Sequence, residues 1–434
     1  MSAIVTILPD TIQLPADNLD ALKGLMSSTN SPLEFRLLED PFAVVDQQIG
    51  LYIEDGKLCG LSLRYCGFES LPDTLGPFVD LRQLDITGNR LTALPDSISN
   101  LTNLECLYAD HNLLSALPES FGKLVNLLEL HLDENQLAAL PESFGKLRNL
   151  RELHILKNRF QTLPDSFGEL KNLQSLYLGD NPLGVLPESI GSLTELRELY
   201  IHSSGLTTLP ESIGNLGYLQ TLDVGHNALT ALTEAMAKLN NLTFFLYISN
   251  NLLTTLPEAF FDNLENLIYL NVTDNQLTSL PDGVGKLKQL KELRLYNNHL
   301  QELPDSLGNL TALKELYLMH NHLTSLPDSL GHLADLKALH LMNNQLVSLP
   351  DSVGNLGHLD YLDLRNNQLN SLPESLVKLQ RLSSLDLRSN RLHQLPECIR
   401  DLPALEKLDL RWNKWRTLPS WIQDLEARGC VVFQ

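Results

Sequence analysis

The sequence lacks the features that mark secreted, membrane-spanning or cysteine-rich metal-binding proteins. Its five cysteines are scattered, odd in number and include no C-x-x-C pair, which argues against a disulfide framework and against a zinc site built from thiolates. No apolar run reaches the roughly 18 residues of a membrane-spanning helix. The start, "MSAIVTILPD", lacks the basic and apolar segments of a signal peptide. We therefore expect a cytoplasmic protein without membrane insertion.

Basic residues are also scarce, because 32 Lys and Arg stand against 53 Asp and Glu, which gives a formal net charge of −21. A protein that covers the phosphates of a nucleic acid or lies on an anionic membrane needs a basic face. We therefore expect no nucleic-acid partner. A neutral or basic protein is a more suitable partner for a chain with this negative charge.

The motifs of common catalytic sites are missing as well. The sequence contains no H-E-x-x-H, no G-x-S-x-G, and no G-x-G-x-x-G that opens a helix after a strand. Those spacings bring metal ligands, a nucleophile or backbone N–H groups together for chemistry. We predict no enzyme activity, no catalytic residue and no cofactor.

What the chain has instead is one motif, L-x-x-L-x-L-x-x-N-x-L, repeated almost from end to end. Most steps between the asparagine places are 23 residues, as in 112 − 89 = 23. Those places are Asn89, Asn112, Asn135, Asn158, Asn181, Ser204, Asn227, Asn251, Asn275, Asn298, Asn321, Asn344, Asn367, Asn390 and Asn413. A degenerate first unit, with Cys66 in the asparagine place, makes sixteen units. Such a period predicts a solenoid of stacked repeats.

One copy, "LKELYLMHN", shows why the repeat folds. Leu316 and Leu318 alternate with polar and aromatic residues, the pattern of a short strand with one buried face. One strand cannot bury its leucines alone, so the copies stack into a parallel sheet. We expect the amide of Asn321 and its equivalents to pair with backbone groups at the turn after each strand.

The segment "LPDSLGNL" predicts a short helical turn on the other side of the sheet. Pro304 suits the first position of the turn, an acidic residue such as Asp305 favours its positive end, and Gly308 ends it. An acidic residue follows the proline in most copies. The resulting acidic ridge could dock a basic partner, but helix chemistry alone also explains it.

In these motifs the chain resembles the leucine-rich repeat family, whose consensus it matches over residues 58–419. Within that family "LPxSLGNLxxL" is similar to the intracellular Ras-group, Shoc-2-like class. The resemblance implies an α/β solenoid, a horseshoe with a parallel concave sheet and short convex helical turns. It further implies a role in intracellular signalling, with a small GTPase or another signalling protein as partner.

Residues 1–57 do not repeat and are predicted to form an N-terminal cap before the array at 58–419. "NLDALKGLMSS" indicates a short helix, and "GLYIEDGKLCGLSL" a hairpin with Asp55 and Gly56 in its turn. A small recognition domain is the alternative for this segment. Residues 420–434 indicate a C-terminal cap of helix and strand. Caps cover the exposed core at the ends of a solenoid.

Irregular copies cluster in the middle of the array. Thr233 replaces the proline, and one extra residue lies between Leu242 and Leu246. We predict that this insertion forms a bulge at the edge of the concave face, near Phe244 and Phe245. Bulges often redirect side chains at functional sites, although neutral drift in a tolerant array is an equal explanation.

Because the inward leucines are fixed, the outward strand positions are the predicted partner-binding face. Aromatic residues and methionines gather at two of these positions and provide large, adaptable contact area. The predicted partner-binding residues are Tyr108, His131, His154, Tyr177, Tyr200, His202, Tyr247, Tyr296, Tyr317, Met319, His340 and Met342. The alternative is that aromatic side chains on neighbouring strands stack on one another and only stabilise the sheet.

Two groups of charged residues on this face suggest other chemistry. The final strands place Asp363, Asp386 and Asp409 beside Arg365, Arg388 and Arg411, and we expect a solvated lattice of ion pairs rather than a phosphate or carboxylate receptor. Metal-ligand residue types also occur on three adjacent strands, as Asp110, His111, His131, Asp133, Glu134 and His154. An open sheet without an evident second shell of ligands argues against a metal site there.

The sequence therefore predicts a non-enzymatic protein–protein interaction scaffold that binds a protein partner on its concave face. Two alternatives stay open. One is a metal-dependent or enzymatic protein that uses the histidine and aspartate cluster on that face. The other is a host-directed binding protein.

Overall fold

The computed structural model describes residues 14–28, 33, 35–38 and 49–434. Its contacts divide the chain into two compact units. The first is Met1–Leu206 with Asn215–Leu219, and the second is Thr207–Gly214 with Gln220–Gln434. Each unit is built from the same alternation of a short strand and a short helical turn, which confirms the predicted solenoid with a parallel sheet on one side and helical turns on the other.

The first unit contains one α-helix and nine strands in its described part. Helix α1 spans Ala16–Ser27. The strands are β1 Arg36–Leu37, β2 Gly50–Glu54, β3 Lys57–Ser62, β4 Gln83–Asp85, β5 Cys106–Tyr108, β6 Glu129–His131, β7 Glu152–His154, β8 Ser175–Tyr177 and β9 Glu198–Tyr200. Consecutive strands pair in parallel except β2 and β3, which form an antiparallel hairpin.

The second unit contains ten strands and the other described α-helix. The strands are β10 Thr221–Asp223, β11 Phe245–Tyr247, β12 Tyr269–Asn271, β13 Glu292–Arg294, β14 Glu315–Tyr317, β15 Ala338–His340, β16 Tyr361–Asp363, β17 Ser384–Asp386, β18 Lys407–Asp409 and β19 Val431–Phe433. Helix α2 spans Ile422–Ala427. Consecutive strands of this unit pair in parallel. None of the described helices has the length and apolar character needed to cross a membrane.

Fifteen described 3-10 helices lie between the strands, and each begins at an acidic residue. They are Asp73–Leu75, Asp96–Asn100, Glu119–Lys123, Glu142–Lys146, Asp165–Glu169, Glu188–Ser192, Glu211–Asn215, Glu234–Lys238, Glu258–Phe261, Asp282–Lys286, Asp305–Asn309, Asp328–His332, Asp351–Asn355, Glu374–Lys378 and Glu397–Asp401. The acidic side chains thus lie at the N-terminal ends of helical turns, where backbone N–H groups favour negative charge.

Two details of the predicted turn were wrong. Pro304 lies just before the 3-10 helix in an extended conformation, with φ −70° and ψ 148°, and not at its first position. Gly308 lies inside the helix and does not end it. A Cβ atom at Gly308 would lie 2.3 Å from the carbonyl oxygen of Ser329 in the next turn. Glycine is therefore required because successive turns pack closely.

The asparagine positions hold the turns after the strands, as predicted. Asn321 is buried. Its Nδ2 donates to the carbonyl oxygens of Leu295, Leu318 and Met319 at 3.0, 3.0 and 3.3 Å. Its Oδ1 accepts the N–H of Leu300 at 3.0 Å. One amide thus satisfies four backbone groups that would otherwise be buried without a partner.

The structure contains the helix and hairpin expected near the start and the helix and strand expected at the end, while the division into caps and array, with boundaries at residues 57 and 419, stays a prediction. Helix α1 includes most of "NLDALKGLMSS". Asp55 and Gly56, with φ of 51° and 75°, form the left-handed turn of the β2–β3 hairpin. At the other end α2 precedes β19, which pairs with β18. Residues 1–13, at the start of the predicted cap, lie outside the described residues.

Candidate functional site

All twelve predicted partner-binding residues are half-buried. They flank leucines that are fully buried in the core, such as Leu316 and Leu318. Because successive side chains of a strand point to opposite faces, these residues share the face of the sheet away from the leucines. We call this side the outer face of the sheet.

In the first unit, one strand position carries aromatic rings on five consecutive strands. We call these residues, Tyr108, His131, His154, Tyr177 and Tyr200, the first stripe. Ring centroids along the stripe are 4.8, 3.9, 4.0 and 4.7 Å apart. The stacking foreseen as the alternative to binding is therefore present. It fixes the rings in place and leaves their outer edges at the surface.

Carboxylates surround the two histidines of the first stripe. His131 Nε2 lies 2.8 Å from Glu129 Oε1, and its Nδ1 lies 3.7 Å from Asp110 Oδ2. Burial opposes a charge on this ring, but Asp110 and Glu129 outweigh burial and raise the pKa of His131 to about 9. The hydrogen bond from His131 lowers the pKa of Glu129. His131 is therefore charged at neutral pH in the metal-free protein.

The same arrangement repeats on the next strand. His154 Nε2 lies 2.8 Å from Glu152 Oε1, and its Nδ1 lies 3.5 Å from Asp133 Oδ2. Of the metal-ligand residue types noted in the sequence, Asp110, His131, Asp133 and His154 thus come together. His111 and Glu134 instead pair with each other at 2.8 Å. Glu129 and Glu152 were missed, although the doubled "ELH" in the sequence was a usable signal.

The second unit carries a longer mixed stripe across six strands. We call Phe245, Tyr247, Tyr269, Arg294, Tyr317, His340 and Tyr361 the second stripe. Ring centroids are 5.0 Å apart for Tyr247–Tyr269, 4.5 Å for Tyr317–His340 and 4.9 Å for His340–Tyr361. The Arg294 guanidinium lies 5.6 Å from the Tyr269 ring and 5.1 Å from the Tyr317 ring. Arginine therefore connects the aromatic groups through cation–π contacts.

Three aromatic residues of the second stripe, Phe245, Tyr269 and Tyr361, were not among the predicted partner-binding residues. They occupy the strand position two residues before the one that carries Tyr317. Side chains two residues apart on a strand share a face. The period-two rule therefore predicts outward side chains at this position as well. The sequence analysis considered only the other two outward positions.

The predicted bulge lies just before β11. Elsewhere one carbonyl serves two N–H groups of the next strand, as Lys291 O does for Lys314 and Glu315 at 2.8 and 3.2 Å. Here Thr243 O and Phe244 O each accept a single bond, at 3.1 and 3.2 Å. The extra residue is taken up locally. Phe244 and Phe245 remain 46% and 42% exposed, an unusual exposure for phenylalanine.

The predicted residues at the next outward position flank the stripes. His202 lies in the first unit, 3.9 Å from Asp180, while Tyr296, Met319 and Met342 lie in the second. His320, next to Met319, lies in the turn after β14 with a left-handed φ of 54°. It is exposed and contacts Asn343 at 3.1 Å. These side chains widen the outer face beside the ring stacks.

The arginines of the final strands are paired, as predicted, but the carboxylates are buried beneath arginine side chains that are 21–35% exposed. Arg388 contacts Asp386 at 2.6 Å and Asp409 at 3.2 Å. Arg411 contacts Asp409 at 2.6 Å. The Asp409 side chain is only 1% exposed, because each arginine covers the carboxylates beneath it. These arginines are therefore occupied by their neighbours.

The chain matches protein-family models and resembles solved structures of other proteins. A model described as a leucine-rich repeat region matches residues 118–204, 184–268, 259–348 and 328–411. A second model, described as leucine rich repeat, matches residues 79–137. None of the curated proteins compared with the chain matches it.

Several solved structures resemble this one. The LRR protein LIC12759 of Leptospira interrogans is 35% identical, with a TM-score of 0.77, and the alignment covers 86% of this chain and 95% of that one. The plant peptide hormone receptor RGFR1, solved with RGF2, is 28% identical with a TM-score of 0.71, covering 87% of this chain and 66% of that one. A chain of the Drosophila Toll–Spatzle complex is 27% identical with a TM-score of 0.71, covering 80% and 50%.

Proposed function

The chain belongs to the leucine-rich repeat family, and on that premise we propose that it is a non-enzymatic binding protein whose outer sheet face holds a protein partner. Proteins with this fold typically act in protein–protein interactions and are generally not enzymes. The proposed contact residues are the twelve half-buried side chains named above, together with Phe245, Tyr269 and Tyr361.

The observation that carries the proposal is the pair of stacked aromatic stripes. Tyrosine and histidine rings held at centroid distances of 3.9–4.8 Å in the first stripe lose little further freedom when a partner covers them. Rigid aromatic side chains are the residues that contribute most to protein interfaces for this reason. An extended polypeptide lying across the strands would meet several rings at once.

Charge on the first stripe favours a basic partner. Glu129, Glu152 and Glu198 lie at one outward strand position beside it, and Asp110 and Asp133 contact its histidines. Lysine or arginine side chains of a partner would pair with the carboxylates along the edges of the ring stack. The chain's net charge of −21 would also speed the approach of a basic partner.

The complexes formed by similar proteins support a polypeptide as the partner class. RGFR1 is described in complex with RGF2, and the receptor kinase HAESA, 25% identical with a TM-score of 0.67, with the peptide hormone IDA and the co-receptor SERK1. These partners belong to those proteins. For this chain we propose only the same class of ligand, a peptide or protein, and not the same molecules.

The finer parts of the proposal rest on the sequence resemblance. We place the chain in the Ras-group, Shoc-2-like class on its "LPxSLGNLxxL" half-repeat, with cytoplasmic localisation and a small GTPase or another signalling protein as partner. Fractionation of native cells tests the localisation. Recovery of the protein from a membrane-enclosed or extracellular fraction would contradict it.

Affinity capture from the native organism's lysate tests the binding face. The bait is the wild type or a variant with Tyr177, Tyr200 and Tyr317 changed to alanine, and the matched control is Tyr218→Ala. Tyr218 is 56% exposed and lies outside the strands. We expect a partner retained by the wild type and the control and lost by the triple variant. Identical partner lists for all three baits would contradict the proposal.

A further inference from the structure

Two consecutive strands of the first unit present the same pair of ligand-type residues on the outer face. Strand β6 carries Glu129 and His131, and β7 carries Glu152 and His154. The register places Glu129 beside Glu152 and His131 beside His154, with the imidazole rings stacked at 3.9 Å. We call these four residues the histidine–glutamate cluster. Its geometry follows from the strand pairing and needs no loop to assemble it.

The ligand atoms of the cluster are close enough to share one ion. One ligand atom each from His131, Glu152 and His154 lies within 4.8 Å of the others. A tetrahedral zinc site with bonds of about 2.1 Å places its ligand atoms roughly 3.4 Å apart. The ligand atoms therefore have to close in by up to about 1.4 Å. The two stacked rings also have to tilt, because a metal–nitrogen bond lies in the plane of each imidazole. The two histidine side chains are 18% and 17% exposed, so an ion can reach them from solvent.

The second shell that the sequence did not reveal is supplied by the two aspartates. Asp110 Oδ2 faces His131 Nδ1 at 3.7 Å, and Asp133 Oδ2 faces His154 Nδ1 at 3.5 Å. Each carboxylate is itself fixed, because Asp110 Oδ1 accepts the N–H of Asp133 at 2.7 Å and Asp133 Oδ1 accepts that of Leu156 at 2.6 Å. A carboxylate on the far ring nitrogen is the usual support of a metal-binding histidine.

Both ring nitrogens of His131 and of His154 face carboxylate oxygens. Without a metal, Nε2 of each ring is hydrogen-bonded to the glutamate on its own strand at 2.8 Å. An ion bound at Nε2 replaces this hydrogen bond, so metal binding competes with protons at the site.

We propose that the histidine–glutamate cluster binds one divalent transition-metal ion of the class that zinc represents. Nε2 of His131, Nε2 of His154 and a carboxylate oxygen of Glu152 are the ligands, with Glu129 beside them. Imidazole and carboxylate donors suit zinc and its neighbours, whereas calcium and magnesium take oxygen ligands. Three protein ligands leave a fourth position for water. The site goes beyond the proposed function, and either can fail alone.

Titration of the chelator-treated full chain with zinc ions, followed by calorimetry, tests the site. We expect one ion per chain with a dissociation constant on the order of 1 µM or tighter. Cobalt ions in place of zinc should give the visible absorption of a tetrahedral complex. That signal reports direct coordination and does not depend on any biological activity.

Neighbouring repeats supply variants that remove ligands and keep the fold. His131→Tyr and His154→Tyr retain a ring in the stack, because Tyr108 and Tyr177 occupy the same strand position. Glu152→Ser copies Ser175. We expect each change to weaken zinc binding by at least about 10-fold, and Asp110→Asn, in the second shell, to weaken it by roughly 10-fold with the cobalt spectrum retained.

His340→Tyr is the matched control, since it makes the same change at the same strand position in the second unit. It should leave zinc affinity unchanged. Circular dichroism of the metal-free variants verifies folding. A wild type that binds zinc no tighter than about 1 mM, or a His131→Tyr/His154→Tyr variant with wild-type affinity, would overturn the proposal. An equal loss in the His340→Tyr control would also overturn it, because binding would then be adventitious.

Discussion

Two histidines at the same strand position, His131 in the first stripe and His340 in the second, are in opposite electrostatic situations. The pKa of His131 is raised to about 9 by Asp110 and Glu129 against the effect of burial. The pKa of His340 is lowered, mainly by burial and further by the Arg365 charge, against a smaller opposing effect of Glu315. Both rings are half-buried and stacked on an aromatic neighbour.

The difference lies in two neighbouring positions. Glu129 lies two residues before His131 and contacts its Nε2. Asp110, from the preceding repeat, faces the Nδ1 of His131. The equivalent places around His340 are Ala338 and, 21 residues before the histidine, Met319. The backbone positions correspond, while the residues in them do not. Chemistry on this fold is therefore set by outward neighbours and can change from strand to strand without a change of scaffold.

The largest expected effect tests whether both stripes rest on the same scaffold. Asn135 and Asn321 each donate to three carbonyl groups and accept one N–H. Alanine leaves these buried groups unpaired, so each substitution should lower the free energy of unfolding by about 3 kcal/mol. Chemical denaturation measures the loss. Clearly unequal losses would show that the two stripes do not share an equivalent support.

The next effect is a pH dependence of opposite sign for the two histidines. Because the folded-state pKa of His131 lies above the ordinary 6.5, its protonated form stabilises the protein fully below pH 6.5, and the contribution is lost as the pH rises through about 9. The advantage of the wild type over His131→Tyr should therefore shrink over that window, by on the order of 2 kcal/mol after allowance for solvent screening.

For His340 the sign reverses. Its folded-state pKa lies below 6.5, so the unfolded chain takes up the proton first and stability falls as the pH drops below about 6.5. The wild type should lose stability relative to His340→Tyr on acidification. Urea denaturation of the chelator-treated proteins across this range measures both trends. Parallel pH profiles for the two variants would contradict the assignment.

Exchanging the residues around His131 and His340 should reverse the directions of their pKa shifts. Ala338→Glu with Met319→Asp gives His340 the surroundings of His131, so its pKa should rise above the ordinary 6.5. Conversely, Glu129→Ala with Asp110→Met should lower the pKa of His131. Histidine ring signals followed by NMR during a pH titration report each value. Unchanged pKa values in both double variants would show that more distant groups decide the charge.

The smallest effect concerns the rings themselves. Tyr177→Ala with Tyr200→Ala removes two ring contacts, Tyr177–Tyr200 at 4.7 Å and His154–Tyr177 at 4.0 Å, but leaves the leucine core intact. We expect a loss of only about 1 kcal/mol in the free energy of unfolding. Thermal denaturation measures it. A loss as large as that of Asn135→Ala would assign these tyrosines to stability and not to binding.

Repetition made most of the fold predictable. Leu316, Leu318 and Asn321 recur in one register, so their burial and hydrogen bonding followed from the period alone. The place of Gly308 inside its helix did not follow, because the close approach of Ser329 depends on how successive turns pack. A single repeat contains no information about that distance.

The site was predictable only in part. Period-two alternation identified the outward tyrosines and histidines, and the insertion before β11 indicated the bulge. The contacts of Asp110 with His131 and of Asp133 with His154 run diagonally between strands. They depend on strand register and side-chain rotamers, which the sequence pattern does not specify. This is why the sequence analysis did not place these carboxylates behind the two histidines.

The most direct test of the binding face is to measure the affinity of the captured partner for a variant of the first stripe and for a control variant. Tyr177→Ala/Tyr200→Ala alters the first stripe, and Tyr218→Ala changes an exposed tyrosine outside both stripes. We predict that the first variant binds at least about 10-fold more weakly, as expected for loss of interface aromatic anchors, and that Tyr218→Ala binds like the wild type. Wild-type affinity in the first variant, with its folding intact, would contradict binding through the first stripe.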